Sequence, residues 1–173
     1  YRGFRPGGGR SQPPLDIPDF VYTYNPDSVW SYEAEIKAKA LDGRVVLDAD
    51  GFHIDWSNIQ TLIDVGDGFL VQGNGGGAVS QGAEAQVQVM PFRGLNLNAS
   101  VAYTDAHYTD PNPGLFIAAG DQIQFVPKVT ASLLADYGWD VNDNLQAFVG
   151  GDYRYRSSEL DAIGFRTPGF SQW

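Results

Sequence analysis

Residues 28–60 constrain the fold more than any other stretch, because they alternate strictly between apolar and charged side chains. Trp30, Tyr32, Ala34, Ile36, Ala38 and Ala40 fall on one parity; Ser31, Glu33, Glu35, Lys37 and Lys39 fall on the other. A period of two sends these sets to opposite faces of a sheet. Asp42-Gly43 then supplies the positive φ values of a two-residue hairpin turn, and alternation resumes with Val45, Leu47 and Ala49 against Arg44, Val46 and Asp48. The expectation is a long hairpin, strands 28–41 and 44–60, with one apolar face ending in aromatics and one charged face. The apolar rhythm changes parity at Asp50-Gly51, where Phe52, Ile54 and Trp56 take over. That change implies either a bulge or a strand that leaves one environment for another.

A half-exposed soluble sheet also alternates. Its strands typically run to about five or six residues, however, whereas a transmembrane barrel uses segments of about ten with aromatics near their ends. The same rhythm recurs at 82–90, 95–104, 128–137 and 145–156, with Leu134 breaking it slightly. The connections at 42–43, 91–94 and 138–144 are short; those at 61–80, 105–126 and beyond 157 are long. A regular succession of short and long connections is how an outer-membrane barrel is built, with short turns on the periplasmic side and long loops outside the cell. The predicted fold is therefore all-β: an antiparallel transmembrane β-barrel, with about six to eight strands in residues 1–173.

Composition excludes several alternatives. The chain of 173 residues has no Cys, which removes disulfides and Cys-based sites. A net charge of −10 argues against a nucleic-acid binder. No run of apolar residues is long enough for a membrane-spanning helix, which leaves a barrel untouched. Residues 1–27, rich in Pro and Gly, read as a strand end at Tyr1–Phe4 followed by a loop, and the Gly7-Gly8-Gly9 run lacks the Lys-Ser/Thr of a phosphate cradle. Asp64 and Asp67 beside glycines fit neither an EF-hand nor a Gly-Asp repeat. His53 and His107 are too few and too far apart to suggest a metal pair. No catalytic constellation is visible, so the reading is of a protein that is not an enzyme, with no metal and no cofactor. Glu33 and Glu35, roughly 7 Å apart by strand rise, superficially suit a carboxylate pair; continued by Lys37 and Lys39, they read better as a ladder of charges.

Pieces spread along nearly the whole chain resemble the barrel of TonB-dependent outer-membrane receptors. They are Gly3-Phe4-Arg5-Pro6-Gly7-Gly8, Trp30-Ser31-Tyr32-Glu33 with Lys37, Phe52-His53-Ile54-Asp55-Trp56 with Ile59-Gln60, and Gly82-Ala83-Glu84. Tyr103-Thr104-Asp105-Ala106, Gly120-Asp121 with Val126-Pro127-Lys128, and Tyr153-Arg154-Tyr155 complete the set. Glu35 departs from the pattern, which usually has a small residue there. The resemblance implies residues 1–173 as part of a barrel of about 22 strands plugged by a separate domain that this sequence lacks. An open sheet with two raw edges is not expected to act alone.

The implied function is active uptake of a scarce ligand such as a ferric siderophore, a vitamin or an oligosaccharide across the outer membrane of a Gram-negative bacterium. The implied partners are the membrane lipid, the protein's own plug domain, the TonB complex and the small-molecule ligand. The lumen-facing candidates are Glu33, Glu35, Lys37, Lys39, Arg154 and Arg156; the last two are also candidates to touch the plug or an anionic ligand. Trp30, Tyr32, Tyr103 and Tyr153 are the candidates for an interfacial aromatic girdle, and Trp56 and Tyr155 fit either that girdle or an ordinary sheet. The competing readings are a small complete outer-membrane barrel serving as anchor or adhesin, and a soluble β-sandwich binding module.

Overall fold

The computed structural model describes residues 1–10, 20–64, 69–112, 117–161 and 166–172. Its elements are all strands: β1 Arg2–Arg5, β2 Gly8–Gly9, β3 Thr23–Tyr24, β4 Asp27–Ala40, β5 Val45–Ser57, β6 Gln60–Asp64 and β7 Leu70–Asn74. β8 Ala78–Val89, β9 Leu95–Tyr108, β10 Val129–Asn142, β11 Leu145–Arg156, β12 Glu159–Leu160, β13 Arg166–Thr167 and β14 Phe170–Gln172 follow. Eight of them form one sheet in the order β1-β4-β5-β8-β9-β10-β11-β14, which is also their order in the chain. The pairs β2–β3, β6–β7 and β12–β13 are small ribbons in three of the connections.

The connections now follow a strict rule. Those leading into β5, β9 and β11 are tight turns, at 41–44, 90–94 and 143–144. Those leading into β4, β8, β10 and β14 are long, at 6–26, 58–77, 109–128 and 157–169. In an up-and-down sheet this puts every long connection at one end of the strands and every short one at the other. The first turn is closed by Arg44 N–H donating to the Leu41 carbonyl at 3.1 Å, around Asp42 at φ 54° and Gly43 at φ 85°. Leu41, at φ 52°, precedes them, so three consecutive positive φ values carry a four-residue turn at 41–44, at the place expected from Asp42-Gly43 but longer than the two-residue turn expected there. Gly94 supplies a single positive φ, 92°, to the turn before β9, where an added Cβ would lie 2.1 Å from the Gly138 carbonyl oxygen.

Contacts gather into two units, Tyr1–Tyr32 with His53–Gln81 and Asp105–Ile123, and Glu33–Phe52 with Gly82–Thr104 and Gln124–Trp173. In the second unit the paired residues fall on the faces that alternation predicts. Ala131 pairs with Tyr155 and Val101, Leu133 with Tyr153 and Ala99, and Ala135 with Gly151 and Leu97. The intervening positions pair Ser132 with Arg154 and Ser100, and Asp136 with Gly150 and Asn96. One face of three neighbouring strands is thus apolar and the other polar, because directly paired residues share a face.

Neither face is covered. Among the described residues the buried apolar side chains are only Val71, Ala78 and Ala106, while Ile36 is 68% exposed and Val149 60% exposed. A soluble sandwich would hide this face under a second sheet; among the described residues no second sheet covers it.

Several strands are longer or shorter than the sequence suggests. β5 ends at Ser57, and Asn58 at φ 60° turns the chain before β6, so the expected strand 44–60 is two strands. Within the connection expected at 61–80, the strand-like piece at 69–72 is β7, and it pairs with β6 from Gln60 with Asn74 through Asp64 with Leu70; β8 starts at Ala78. β10 continues to Asn142 because Trp139 keeps the rhythm past Gly138: it pairs with Ala147 and stacks on Tyr137 at 5.4 Å. β9 runs on to Tyr108, and β5 passes through Asp50-Gly51 without interruption. Tyr1–Phe4 is a strand end as expected, with Arg2–Arg5 on the edge of β4.

Candidate functional site

The charged parity of β4 and β5 forms a small network in the second unit. Lys37 Nζ lies 2.7 Å from Glu35 Oε1 and 3.6 Å from Asp48 Oδ2 on the next strand. Glu33 and Lys39 extend the same parity of β4, both exposed. A cleft of about 420 Å³ is lined by Glu35, Asp48, Asp50, Glu84, Ser100 and Thr130 among others. Four carboxylates line this cleft and Lys37 pairs with two of them, which makes this part of the face negative. Asp48, Asp50 and Glu84 were not singled out from the sequence, although their parity relative to Lys37 was available there. Exposed ion pairs of this kind are worth only about 0–1 kcal/mol each, so the network shapes the potential of the face more than it holds the fold. Lys37→Arg in the parent protein should therefore change folding stability by less than about 0.5 kcal/mol; unfolding in bilayers checks this, and a larger loss would show that Lys37 is packed.

On β11, Arg154 Nε lies 3.2 Å from Asp152 Oδ2, and Arg156 Nη1 lies 3.2 Å from Glu159 Oε1. Arg154 and Arg156 share a parity with Asp152, as the alternation requires. His53 and His107 each sit beside an aspartate two positions away on their own strand, at 3.3 Å from Asp55 and 3.4 Å from Asp105. Among the described residues no group of three or more His, Asp or Glu could hold a metal ion.

The first unit holds the most connected polar cluster, and alternation alone did not reveal it. Asp27, 2% exposed, opens β4. Its Oδ2 accepts from Arg5 Nε at 2.8 Å, from Trp56 Nε1 at 3.1 Å and from the Gln60 backbone N–H at 3.3 Å. Arg5 Nη2 also donates to Oδ2, and the Arg5 backbone N–H donates to Oδ1 at 3.2 Å. The Arg5 guanidinium stands over the Trp56 ring at 5.2 Å. Gln60 Nε2 reaches the Pro6 carbonyl at 2.8 Å, and Asn74 bonds both backbone groups of Asn25, at 2.8 and 3.0 Å. The bases of two long connections, 6–26 and 58–77, are thereby tied to β1, β4 and β5. Asp27 lies beyond Trp30 on the loop side of the strand, outside the stretch an aromatic girdle would bound. There the Arg5 guanidinium, with the Gln60 and Trp56 donors, holds its carboxyl at about 2, against a cost of burial that works the other way.

Trp30 and Tyr32 stack at 6.4 Å on the opposite parity, with Arg2 over Trp30 at 5.2 Å. Tyr103 and Tyr153 are likewise exposed. Trp56, which fitted a girdle or a sheet, turns its indole N–H to Asp27 instead.

The family description "TonB dependent receptor-like, beta-barrel" matches residues 1–173, the whole chain. This chain belongs to that family. The sheet is therefore part of an antiparallel outer-membrane barrel, and the soluble-sandwich reading is set aside. As a member of the TonB-dependent receptor family, the chain is 29% identical over 174 residues to the metal-pseudopaline receptor CntO of Pseudomonas aeruginosa, covering 98% of this chain and 23% of that protein. It also resembles the ferric yersiniabactin uptake receptor FyuA of Yersinia pestis, with a TM-score of 0.77 at 16% identity over 98% of this chain and 25% of that one. The pyoverdine receptor FpvA of Pseudomonas aeruginosa, solved with pyoverdine bound, matches with a TM-score of 0.60 at 20% identity over 86% of this chain and 22% of that one. At these identities the two solved structures show the shared fold. The TonB-dependent receptor barrel described here spans about a quarter of the length of such relatives. All three are receptors, not enzymes.

Proposed function

We propose that this chain is a stretch of barrel wall from a receptor that actively imports a scarce ligand, a ferric siderophore or similar metal chelate, across the outer membrane. The family match over residues 1–173 carries this reading. It is supported by the names of the relatives, which are receptors for metal-pseudopaline, ferric yersiniabactin and pyoverdine. In this reading the parity of Glu33, Glu35, Lys37, Lys39, Arg154 and Arg156 lines the lumen. The opposite parity meets lipid, with Trp30, Tyr32, Tyr103 and Tyr153 at the interface. A plug domain elsewhere in the parent protein fills the lumen, and TonB supplies the energy. The test is uptake: cells lacking the parent gene should lose accumulation of radiolabelled iron from the cognate siderophore, and the intact gene should restore it. Unchanged iron accumulation with every siderophore the organism uses would reject the reading.

The topology follows from the same reading. Long connections face outward and short turns face the periplasm. Gly75 and Asn112 lie in two of the long connections, but both are buried, so cysteines there would be shielded. Leu70 and Ala119 are exposed in the same connections, and Arg93 and Asp143 are exposed in two of the short turns. In the parent receptor, cysteines at Leu70 or Ala119 should react with an impermeant maleimide on whole cells, and those at Arg93 or Asp143 should react only after lysis. The opposite pattern would invert the wall.

A further inference from the structure

The open faces of the second unit do not continue to the loop end of the strands. In the first unit one face is hidden and the other is not. On β4, Ser31 is 5% exposed between Trp30 at 44% and Tyr32 at 57%. On β9, Ala106 is 4% exposed, while the side chains of Asp105 and His107 on either side of it keep 28% and 31%. Ala78, which opens β8, is buried as well. Ser31, Ala78 and Ala106 share the parities of Glu33, Glu84 and Ser100 on their strands, so the hidden face is the one that carries the charged network. Neighbouring strands lie in the plane of a sheet, and a strand face is hidden only by chain that leaves that plane. In this unit such chain is the long connections, where Val71 of β7 is buried.

The connections are also fastened to one another. Gly75 N–H donates to the Ile59 carbonyl at 2.7 Å, and Ile59 N–H donates to the Gly76 carbonyl at 2.7 Å. Thr109 N–H, from the next connection, donates to the Gly77 carbonyl at 3.0 Å. Gly76 has φ 88°, and an added Cβ there would lie 2.7 Å from Asp110 Cβ, so the two connections meet at a point that only glycine fits. Past Asp110 the chain returns to β9, where Gly120 N–H reaches the Tyr108 carbonyl at 2.8 Å and Ile123 N–H the Ala106 carbonyl at 3.0 Å. We propose that the connections 58–77 and 109–128 form one latched block, closed at Gly76 and folded over the charged face, that overhangs the outer mouth of the lumen and moves as a unit. A ligand arriving at this sector of the rim then meets a preformed wall, where two separate loops would open independently. The place over the lumen rests on the proposed transport reading, which puts the charged parity inside; the latch does not.

Two readouts on the intact parent receptor test this. Leu70 and Ala119 are exposed, one in each connection. With nitroxides on Leu70→Cys and Ala119→Cys, electron–electron double resonance in bilayers should give one narrow distance. Adding Gly76→Val, which forces a β-branched side chain to a positive φ and against Asp110, should broaden it. The cover is read by Ser31→Cys, a near-isosteric change at a buried position. An impermeant maleimide on whole cells should label it several-fold more slowly than Leu70→Cys, and Gly76→Val should remove that protection. A broad distance distribution without Gly76→Val, an unchanged one with it, or Ser31→Cys labelling as fast as Leu70→Cys would overturn the proposal. If Gly76→Val does not fold, the distance in its absence and the labelling of Ser31→Cys still decide. Neither readout depends on iron uptake. If the charged parity proves to face lipid, the transport reading fails while the narrow distance stands, so the two failures are distinguishable.

Discussion

Asp27→Ala in the parent receptor should lower folding stability by on the order of 3 kcal/mol. The estimate follows from what the carboxylate leaves behind. Removing one partner from a buried charged pair costs about 3–5 kcal/mol when the other charge stays buried. The Arg5 side chain is 51% exposed, so its charge can return to water and that part of the penalty shrinks. The Trp56 indole N–H and the backbone N–H groups of Arg5 and Gln60 then lose their acceptor at a half-buried site. Arg5→Lys should cost less but not nothing, because an ammonium cannot reproduce the fork that meets both oxygens. Denaturant unfolding of the detergent-purified receptor measures both. A loss below about 1 kcal/mol for Asp27→Ala would show that the cluster is incidental.

The same carboxylate predicts a pH dependence. Its folded value of about 2 lies below the ordinary 3.8. A lowered folded value means that the contribution is complete above the ordinary value and is lost as the pH falls through the folded one. The difference between wild type and Asp27→Ala should therefore be full at neutral pH and narrow between about pH 4 and pH 2. The linked contribution is about 2 kcal/mol, at 1.36 kcal/mol per pH unit. A gap that stays constant down to pH 2 would mean that hydrogen bonding to the ionised form is not what holds Asp27.

Why this cluster escaped the sequence is a matter of distance along the chain. Arg5 and Asp27 are 22 positions apart, and Asp27 and Gln60 are 33 apart. Nothing local marks them as partners; Asp27 sits in a Pro-rich approach that reads only as a loop ending. Alternation, by contrast, is local, and so the faces of β4, β10 and β11 were legible residue by residue, whereas the register came only with strand pairing. The place of the hairpin turn was legible for the same reason, since Asp42-Gly43 carries its own backbone preference; its length was not, because Leu41 joins the turn at φ 52°. The break at Asn58 was hidden because Phe52, Ile54 and Trp56 carry an apolar rhythm straight toward it. That rhythm belongs to the loop end of β5, where Trp56 turns to Asp27. Its parity change thus marks a strand entering different surroundings, with no interruption of β5. The lumen candidates on β4 were read from alternation and charge; the ion pair of Lys37 with Asp48, and the cleft shared with Asp50 and Glu84, became apparent only with strand order.

Ile36→Arg should destabilise the parent receptor by on the order of 2 kcal/mol, because Ile36 lies mid-strand on the apolar parity and is 68% exposed on this sheet. A charge meeting lipid near the midplane costs about 2–4 kcal/mol, falling toward zero near an interface. The substitution alone does not identify the medium, since a protein core would penalise it too. Ala38→Leu separates the two cases. Lipid takes a larger apolar side chain without resistance, whereas a packed protein surface resists overpacking by about 1–3 kcal/mol. Ala38 is exposed on the same parity, so if that face meets lipid, unfolding in bilayers should show Ala38→Leu at or near the wild-type stability. A neutral Ala38→Leu beside a costly Ile36→Arg would place lipid on this face and, by the period of two, put Glu35 and Lys37 in the lumen. A loss above about 1 kcal/mol for Ala38→Leu would mean that protein covers the face. The inward assignment of the charged parity, and with it the candidate ligand path, would then have to be reversed.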